Sequence, residues 1–189
     1  MKFDTAIIFA GGKSSRMKRD KALLPFGGYN TLAEYQYRRL SQIFNNVYIS
    51  AKSNKFDFRA NIVVDSSKIY SPLIGIISVF ETLKVDEVFI ISVDIPFISF
   101  DIIQDIYRNN SCEYDIVVAK SKNGIEPLCG IYKRDILEVA KLNLNRHIYR
   151  LKALLNSVNT KIVDFNLKDE FLNLNTPQIY INSLNSFKS

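Results

Sequence analysis

A single histidine and two cysteines among 189 residues leave little for a soft-metal site or a disulfide framework. His147 has no partner at ligand spacing, and Cys112 and Cys129 stand apart with no C-x-x-C, so zinc binding and covalent stapling both lack support. Such cysteine usage fits a reducing cytoplasm. Glycine is scarce too, seven in all. The pair Gly11-Gly12 completes neither common glycine signature. Gly12-Lys13-Ser14 imitates the tail of a P-loop, but that motif needs a glycine five residues earlier, where Ile7 stands. The spacing G-x-G-x-x-G fails as well, because no further glycine follows at the required distance. Long apolar runs are also missing. The segment MKFDTAIIFAGG carries an acidic residue and too short an apolar run for a signal peptide or membrane span, so a soluble, cytoplasmic protein is expected.

What is present is ordinary globular composition, 47% hydrophobic and 23% charged, in a chain long enough to bury a sizeable core. No linker, low-complexity tract or repeat divides it, and a single domain over residues 1–189 is expected. The formal charge is +6, of which the stretch Lys13 to Lys21 supplies a net four. An excess so local suits a compact phosphorylated ligand better than a nucleic acid, and no stacking or groove-reading motif accompanies it.

Strand-length apolar runs recur at Thr5 to Ala10, Val47 to Ala51, Ile62 to Asp65, Val88 to Asp94 and Ile116 to Lys120. Rich in Val and Ile, they suit buried parallel strands. Between them lie helical patterns. Leu32 to Phe44 places Ala33, Tyr37, Leu40 and Phe44 on one face behind the capping box Thr31-x-x-Glu34. Ser71-Pro72 opens a helix over Leu73 to Leu83, Ser99 caps another over Ile102 to Tyr107, and Thr176-Pro177 starts a last one. Strand and helix in alternation predict a three-layer α/β fold, a mostly parallel sheet with helices on both faces.

In open α/β sheets ligands sit outside the carboxyl ends of the strands, which singles out the residues following each strand. After the first strand comes the glycine-rich basic loop, where backbone N–H groups can approach an anion and Arg16 and Lys21 can neutralise it. A solvated basic loop would be the bland alternative, and its place directly after a strand argues against that. Asp94 ends VFIISVD before Ile95-Pro96 turns the chain away, and a carboxylate there can hold Mg2+ or merely cap a turn. Asp65 ends NIVVD on the same rim. Asn173 and Asn175 in LNLNTPQ precede a capped helix, where turn residues would also be at home.

Taken together these residues resemble the molybdenum cofactor guanylyltransferase (MobA) family of nucleotidyltransferases. The match extends over most of the chain. FAGGKSSRMKRDKALLPFGG is close to the family pattern L-A-G-G-x-S-x-R-M-G-x-D-K-x-L-L, and VVDSSKIYSPLIGIISV, VDIPFI, EPLCGIY and NLNTP follow in the family's order. The resemblance implies a Rossmann-like nucleotidyltransferase fold. It also implies transfer of GMP from GTP to the phosphate of molybdopterin, giving a guanine dinucleotide cofactor and pyrophosphate, with Mg2+ as cofactor. Carried over by position, Phe9, Ala10, Gly11 and Gly12 would run along the guanosine, Lys21 would hold phosphate, Asp65 would contact the nucleotide and Asp94 would bind Mg2+. Arg16 would lie against the polyphosphate, and Asn173 and Asn175 would face the acceptor. The basic stretch Lys141 to Lys152, with Arg146, Arg150 and Lys152, would add cations to the acceptor side or form a solvated helix face. Gly11-Gly12 favours the guanylyl branch over cytidylyl relatives, which look like A-A-G here.

Two positions depart from the family. Lys18 replaces a glycine, and Ser50 stands where an asparagine is common, so its hydroxyl lacks the carboxamide's paired donor and acceptor. An ionised phosphate nucleophile needs no general base, which accords with a chain that has one histidine. GTP and molybdopterin are thus the expected small-molecule partners, with transient contacts to molybdenum cofactor biosynthesis or acceptor proteins, and neither nucleic acid nor membrane. The alternatives are a related transferase using CTP or a sugar 1-phosphate, and a non-catalytic nucleotide-binding module, which would not need Asp94.

Overall fold

Every side chain from Ala6 to Phe9 is buried, because strand β1 (Phe3–Phe9) is covered on both faces. Ala6 and Ile8 join one apolar cluster, Ile7 and Phe9 the other, as the two-residue period of a strand requires. The computed structural model describes residues 2–11, 19–65, 67 and 69–186. After β1 come a 3-10 turn (Lys21–Leu23), α1 (Leu32–Leu40), β2 (Phe44–Ala51), β3 (Asn61–Val64), α2 (Pro72–Thr82), β4 (Glu87–Ser92) and α3 (Phe100–Arg108). There follow β5 (Ile116–Ser121), β6 (Gly124–Lys133), α4 (Leu137–Asn145), α5 (Leu151–Ser157), β7 (Thr160–Asp164) and α6 (Pro177–Ser186).

One seven-stranded sheet results, in the order β3-β2-β1-β4-β6-β5-β7. Only β6 runs against its neighbours β4 and β5; the other pairings are parallel. Helices α1 and α3 pack on one face through Leu32, Ala33, Leu40, Ile102, Ile103 and Ile106. On the other face α2, α4 and α5 contribute Leu73, Ile76, Phe80, Ala140 and Leu154. The chain builds outward from β1 to β3 and then returns to lay β4 on the other side of β1. That reversal opens a crevice at the carboxyl ends of β1 and β4, where ligands of open α/β sheets bind.

The helical caps form where the sequence places them. Thr31, Ser71, Ser99 and Thr176 each accept a backbone N–H from the first turn that follows. Glu34 does not close the box, turning to Arg38 at 3.4 Å instead. Helix α1 is shorter than its apolar spacing predicts. It stops at Leu40, and Phe44 opens β2, fully buried against Phe89. Its helical spacing was a coincidence of two elements sharing one core.

Strands β6 and β7 carry little sequence signal. β7 is an edge strand with Ile162 exposed. β6 contains Pro127 and Gly130, residues that normally interrupt a strand, and both lie at an irregularity. Val118 pairs with Gly130, but the next residue, Ala119, pairs with Glu126, so Pro127, Leu128 and Cys129 bulge from the ladder with β5. Tyr132 Oη donates to the Pro127 carbonyl at 2.5 Å and ties the bulge down. A Cβ on Gly130 would lie 2.2 Å from the Val117 carbonyl oxygen, so no other residue fits there without moving backbone.

Candidate active site

The loop after β1 is fastened at both ends by one side chain. Lys55 donates to the Ala10 carbonyl at 3.1 Å and pairs with the Asp20 carboxylate. Asp20 in turn caps the 3-10 turn by accepting the Ala22 N–H at 3.0 Å. This delivers Lys21 to the crevice. Its Nζ donates to Asp94 Oδ2 at 2.8 Å and to Asn175 Oδ1 at 2.5 Å. The other carboxylate oxygen, Asp94 Oδ1, accepts the Ser92 hydroxyl at 2.6 Å. Main-chain bonds hold the same three segments together: Val93 N–H to the Phe9 carbonyl at 3.1 Å, and Leu174 N–H to the Asp94 carbonyl at 2.8 Å. Lys21 and Asp94 are about one-sixth exposed, open enough to meet a ligand yet sheltered enough for their charges to count.

Helix α1 supports this arrangement from beneath. Fully buried Gln36 donates to the Ile95 carbonyl at 3.2 Å, and Arg39 to that of Pro96 at 3.0 Å, fixing the turn that carries Asp94. Burial lowers the pKa of the Arg39 guanidinium, which also lies over the Phe100 ring.

Beside the crevice lies a narrow hollow of about 20 Å³, walled by Phe9, Gly11, Ser50, Asp65, Lys52 and Tyr70. Asp65 is buried and both its oxygens are engaged. Oδ2 accepts Lys52 Nζ at 2.6 Å, and Oδ1 accepts the Ser67 N–H at 2.9 Å. Lys52 also donates to the carbonyls of Ser67 and Ile69, each at 2.7 Å, and sits 5.0 Å from the Tyr70 ring centroid. Gly75 lets α2 lie against Phe9, since a Cβ there would stand 2.6 Å from the ring. Gly11 is different: a Cβ would meet only Ala51 and Ser50, at ordinary distances of 3.8 and 3.9 Å. Nothing within the described protein demands a glycine at that position.

A larger cleft of about 630 Å³ adjoins the hollow, with Tyr70, Ser71 and Pro72 shared between them. Its volume is that of a small-molecule site. Asp94, Ser92, Asn173, Glu126, Tyr149, Arg150 and Lys152 all line the cleft.

Of the residues singled out from sequence, Lys21, Asp94 and Asn175 thus meet directly, Asn173 shares the cleft with Asp94, and Phe9, Gly11, Ser50 and Asp65 share the hollow. Ala10 takes part through its main chain, donating to the Ser50 carbonyl at 3.0 Å. Arg150 and Lys152 line the cleft, whereas Arg146, exposed at the end of α4, does not. Gly12, Arg16 and Lys18 lie outside the described residues. Lys52, Lys55, Gln36 and Arg39 escaped sequence reasoning. Only Lys52, directly after β2, could have been found by the rule that picked out Asp65 and Asp94. Among the described residues no three His, Cys, Asp or Glu side chains converge to hold a metal, and no helix is long and apolar enough to cross a membrane.

Comparison with known proteins places these features in context. The model of the MobA-like NTP transferase domain matches residues 6–161. A molybdenum cofactor guanylyltransferase of Campylobacter jejuni subsp. doylei is 35% identical over 176 residues, covering 92% of either chain. One of Helicobacter pylori is 35% identical over 180 residues, covering 92% of this chain and 88% of its own. The crystal structure of molybdopterin-guanine dinucleotide biosynthesis protein A from Archaeoglobus fulgidus superposes with a TM-score of 0.83 over 97% of this chain and 98% of that one. At 16% identity it attests the fold alone.

Proposed function

The chain belongs to the MobA-like NTP transferase family, and we propose that it transfers GMP from GTP to the terminal phosphate of molybdopterin, releasing pyrophosphate. It is a nucleotidyltransferase, and the observation that carries the finer reading is the contact of Lys21 with both Asp94 and Asn175 at the sheet's reversal point. One cation there is shared by the strand that would face the nucleotide and the segment that would face the acceptor.

In this reading the guanosine lies against the residues that wall the hollow, which at about 20 Å³ is too small to enclose it. Phe9, Ala10 and Gly11 run along it, with Gly12 beyond, and Ser50 and Asp65 stand at its side. Gly11 supports the assignment, because a glycine that the protein itself does not need leaves room for a ligand to approach the main chain. The triphosphate then extends toward Lys21, with Arg16 beside it, and the acceptor phosphate enters from the cleft past Asn173 and Asn175. An acceptor oxygen forms the new bond to the α-phosphorus as the bond to the β-phosphate bridging oxygen breaks, and pyrophosphate leaves with that electron pair. Lys21 stabilises the charge gathering on the leaving group. The nucleophile is already ionised, so no proton has to be moved. Positioning and charge do the catalysis.

Asp94 fits Mg2+ by its chemistry. A hard cation of that size is held by one or two carboxylates, substrate phosphates and water, so a cluster of protein ligands is unnecessary. Bound there, it would draw charge from the α-phosphate. The whole chain would act as one catalytic unit in the cytoplasm and pass its product on in transient contacts with acceptor proteins.

The reading is tested with purified protein, Mg2+ and molybdopterin, offering GTP, CTP, ATP and UTP in parallel. GTP alone should support pyrophosphate release with formation of a guanine dinucleotide. Comparable turnover with CTP, or GDP-mannose formation from mannose 1-phosphate at a similar rate, would overturn it.

A further inference from the structure

A cleft that is to receive a phosphorylated acceptor already contains a carboxylate that no cation pairs among the described residues, although Arg150 and Lys152 line the same cavity. Glu126 lines the same cavity as Asp94 and Asn173. Unlike Asp94, it forms no ion pair among the described residues. Among the described residues its side chain takes a hydrogen bond from the Ser121 hydroxyl at 2.7 Å to Oε1, and Ser121 is itself buried and held by the Asn123 N–H at 3.0 Å. The carboxylate is therefore fixed in direction without being neutralised.

Its placement depends on the bulge in β6. In a regular ladder Ala119 would face Cys129; instead three residues are looped out and Ala119 faces Glu126. The looped-out Pro127 and Leu128 also line the cleft, so the irregularity moves a contiguous piece of strand into its wall. Bulges that re-aim side chains in this way concentrate beside active sites. The device is anchored at two points, by Tyr132 Oη on the Pro127 carbonyl and by Gly130 at the close approach to β5. Burial raises the pKa of the Tyr132 phenol and keeps it a neutral donor.

An anion pinned in an anion-binding cleft repels a phosphate and attracts N–H donors. The reacting phosphate is placed by Lys21 and Asp94, and Glu126, Pro127, Leu128 and Tyr149, which line the same cavity, are available to the rest of the acceptor. We infer that Glu126 is a specificity residue that accepts the adjacent N–H donors of a flat 2-amino-4-oxo heterocycle, the edge presented by a pterin, while apolar and aromatic neighbours cover its faces. A carboxylate offers several lone pairs, so the bond from Ser121 does not exhaust it. This inference rests on the proposed acceptor.

The test uses full-length protein and two fluorescent probes: pterin, and lumazine, in which an oxygen replaces the 2-amino group. Wild type should bind pterin at least about tenfold more tightly than lumazine, because the carboxylate would meet an oxygen in place of a donor. Pterin should compete with molybdopterin and not with GTP. Glu126→Gln should bring the preference close to unity and raise KM for molybdopterin with KM for GTP unchanged, the melting temperature serving as the check on folding. Equal binding of the two probes by wild type would overturn the inference even if the variant failed to fold. So would an effect of the variant confined to GTP. If wild type makes no dinucleotide yet prefers pterin, the proposed reaction fails and the edge-reading role stands. If it makes dinucleotide without that preference, the reverse holds.

Discussion

At the scale of single residues, two carboxylates that each pair with a lysine differ in burial, and their substitutions should therefore read out differently. Asp94 is partnered by Lys21 and Ser92 in an open crevice, so replacing it by the isosteric asparagine removes charge with little loss of packing. Asp94→Asn should lower Mg2+-dependent pyrophosphate release by roughly a hundredfold or more, the scale of losing one electrostatic stabiliser. Near-normal turnover of the folded variant would remove Asp94 from the chemistry. Asp65 presents the opposite case, a buried carboxylate held by one lysine. Lys52→Ala strands that charge, at a cost of about 2 kcal/mol once the partial exposure of Lys52 is allowed for. Adding Asp65→Asn should recover part of the loss, and a double-mutant cycle by urea denaturation measures the coupling. Strict additivity would mean that the ion pair is not what orders this wall. Position after a strand singled out Asp65, Asp94 and, in the loop after β1, Lys21, and the resemblance added the phosphate role of Lys21. The bond between Lys21 and Asn175, 154 residues apart, was not legible in the sequence, nor was Lys55, since nothing local distinguishes a lysine that fastens a loop from one on the surface.

At the scale of elements, legibility follows burial in the inner strands, whereas the edge strand β3 is legible through its apolar run Ile62 to Val64 although only Val63 is buried. β1, β2, β4 and β5 read as strands because sheet and helices enclose them, and the capped helices begin where hydroxyl side chains meet orphan N–H groups. β7 offers too few buried positions, and β6 breaks the propensity rules at the very residues that shape its bulge. Two glycines show how local sequence hides this. Gly130→Ala forces a Cβ against backbone in the middle of the sheet and should destabilise by about 3 kcal/mol or prevent folding. Gly11→Ala meets only ordinary contacts and should leave the melting temperature unchanged. It should nevertheless weaken GTP binding by tenfold or more in calorimetric titration, because the methyl group would stand where the nucleotide approaches. Unchanged GTP affinity would place the guanosine elsewhere. The sequence shows two glycines after a strand and a third within one; only the surroundings tell which serves the fold.

At the scale of the whole molecule, the two cysteines report on whether the crevice and the sheet are one cooperative structure. Cys112 is exposed, while Cys129 lies in β6 with no solvent contact, and burial raises the pKa of its thiol. The neutral, enclosed thiol is unreactive until the sheet opens. At pH 8 a disulfide reagent such as DTNB should therefore modify one thiol at once and the second only at the rate set by opening of the core. Cys129 pairs with Ile91 of β4, the strand whose carboxyl end leads to Asp94, so opening that exposes it also dismantles the proposed nucleotide site. GTP with Mg2+ should then slow the second reaction by about a hundredfold when free ligand is a hundred times its Kd, since binding to the closed form alone draws down the open population by that factor. The Asp94→Asn variant, if it still binds GTP, should show the same dependence with the midpoint moved to its own Kd. Rapid modification of both thiols in the absence of ligand would contradict the enclosure of Cys129. Slow modification that GTP leaves untouched would mean that β4 and β6 separate without disturbing the nucleotide, and hence that the nucleotide does not rest at the reversal point of this sheet.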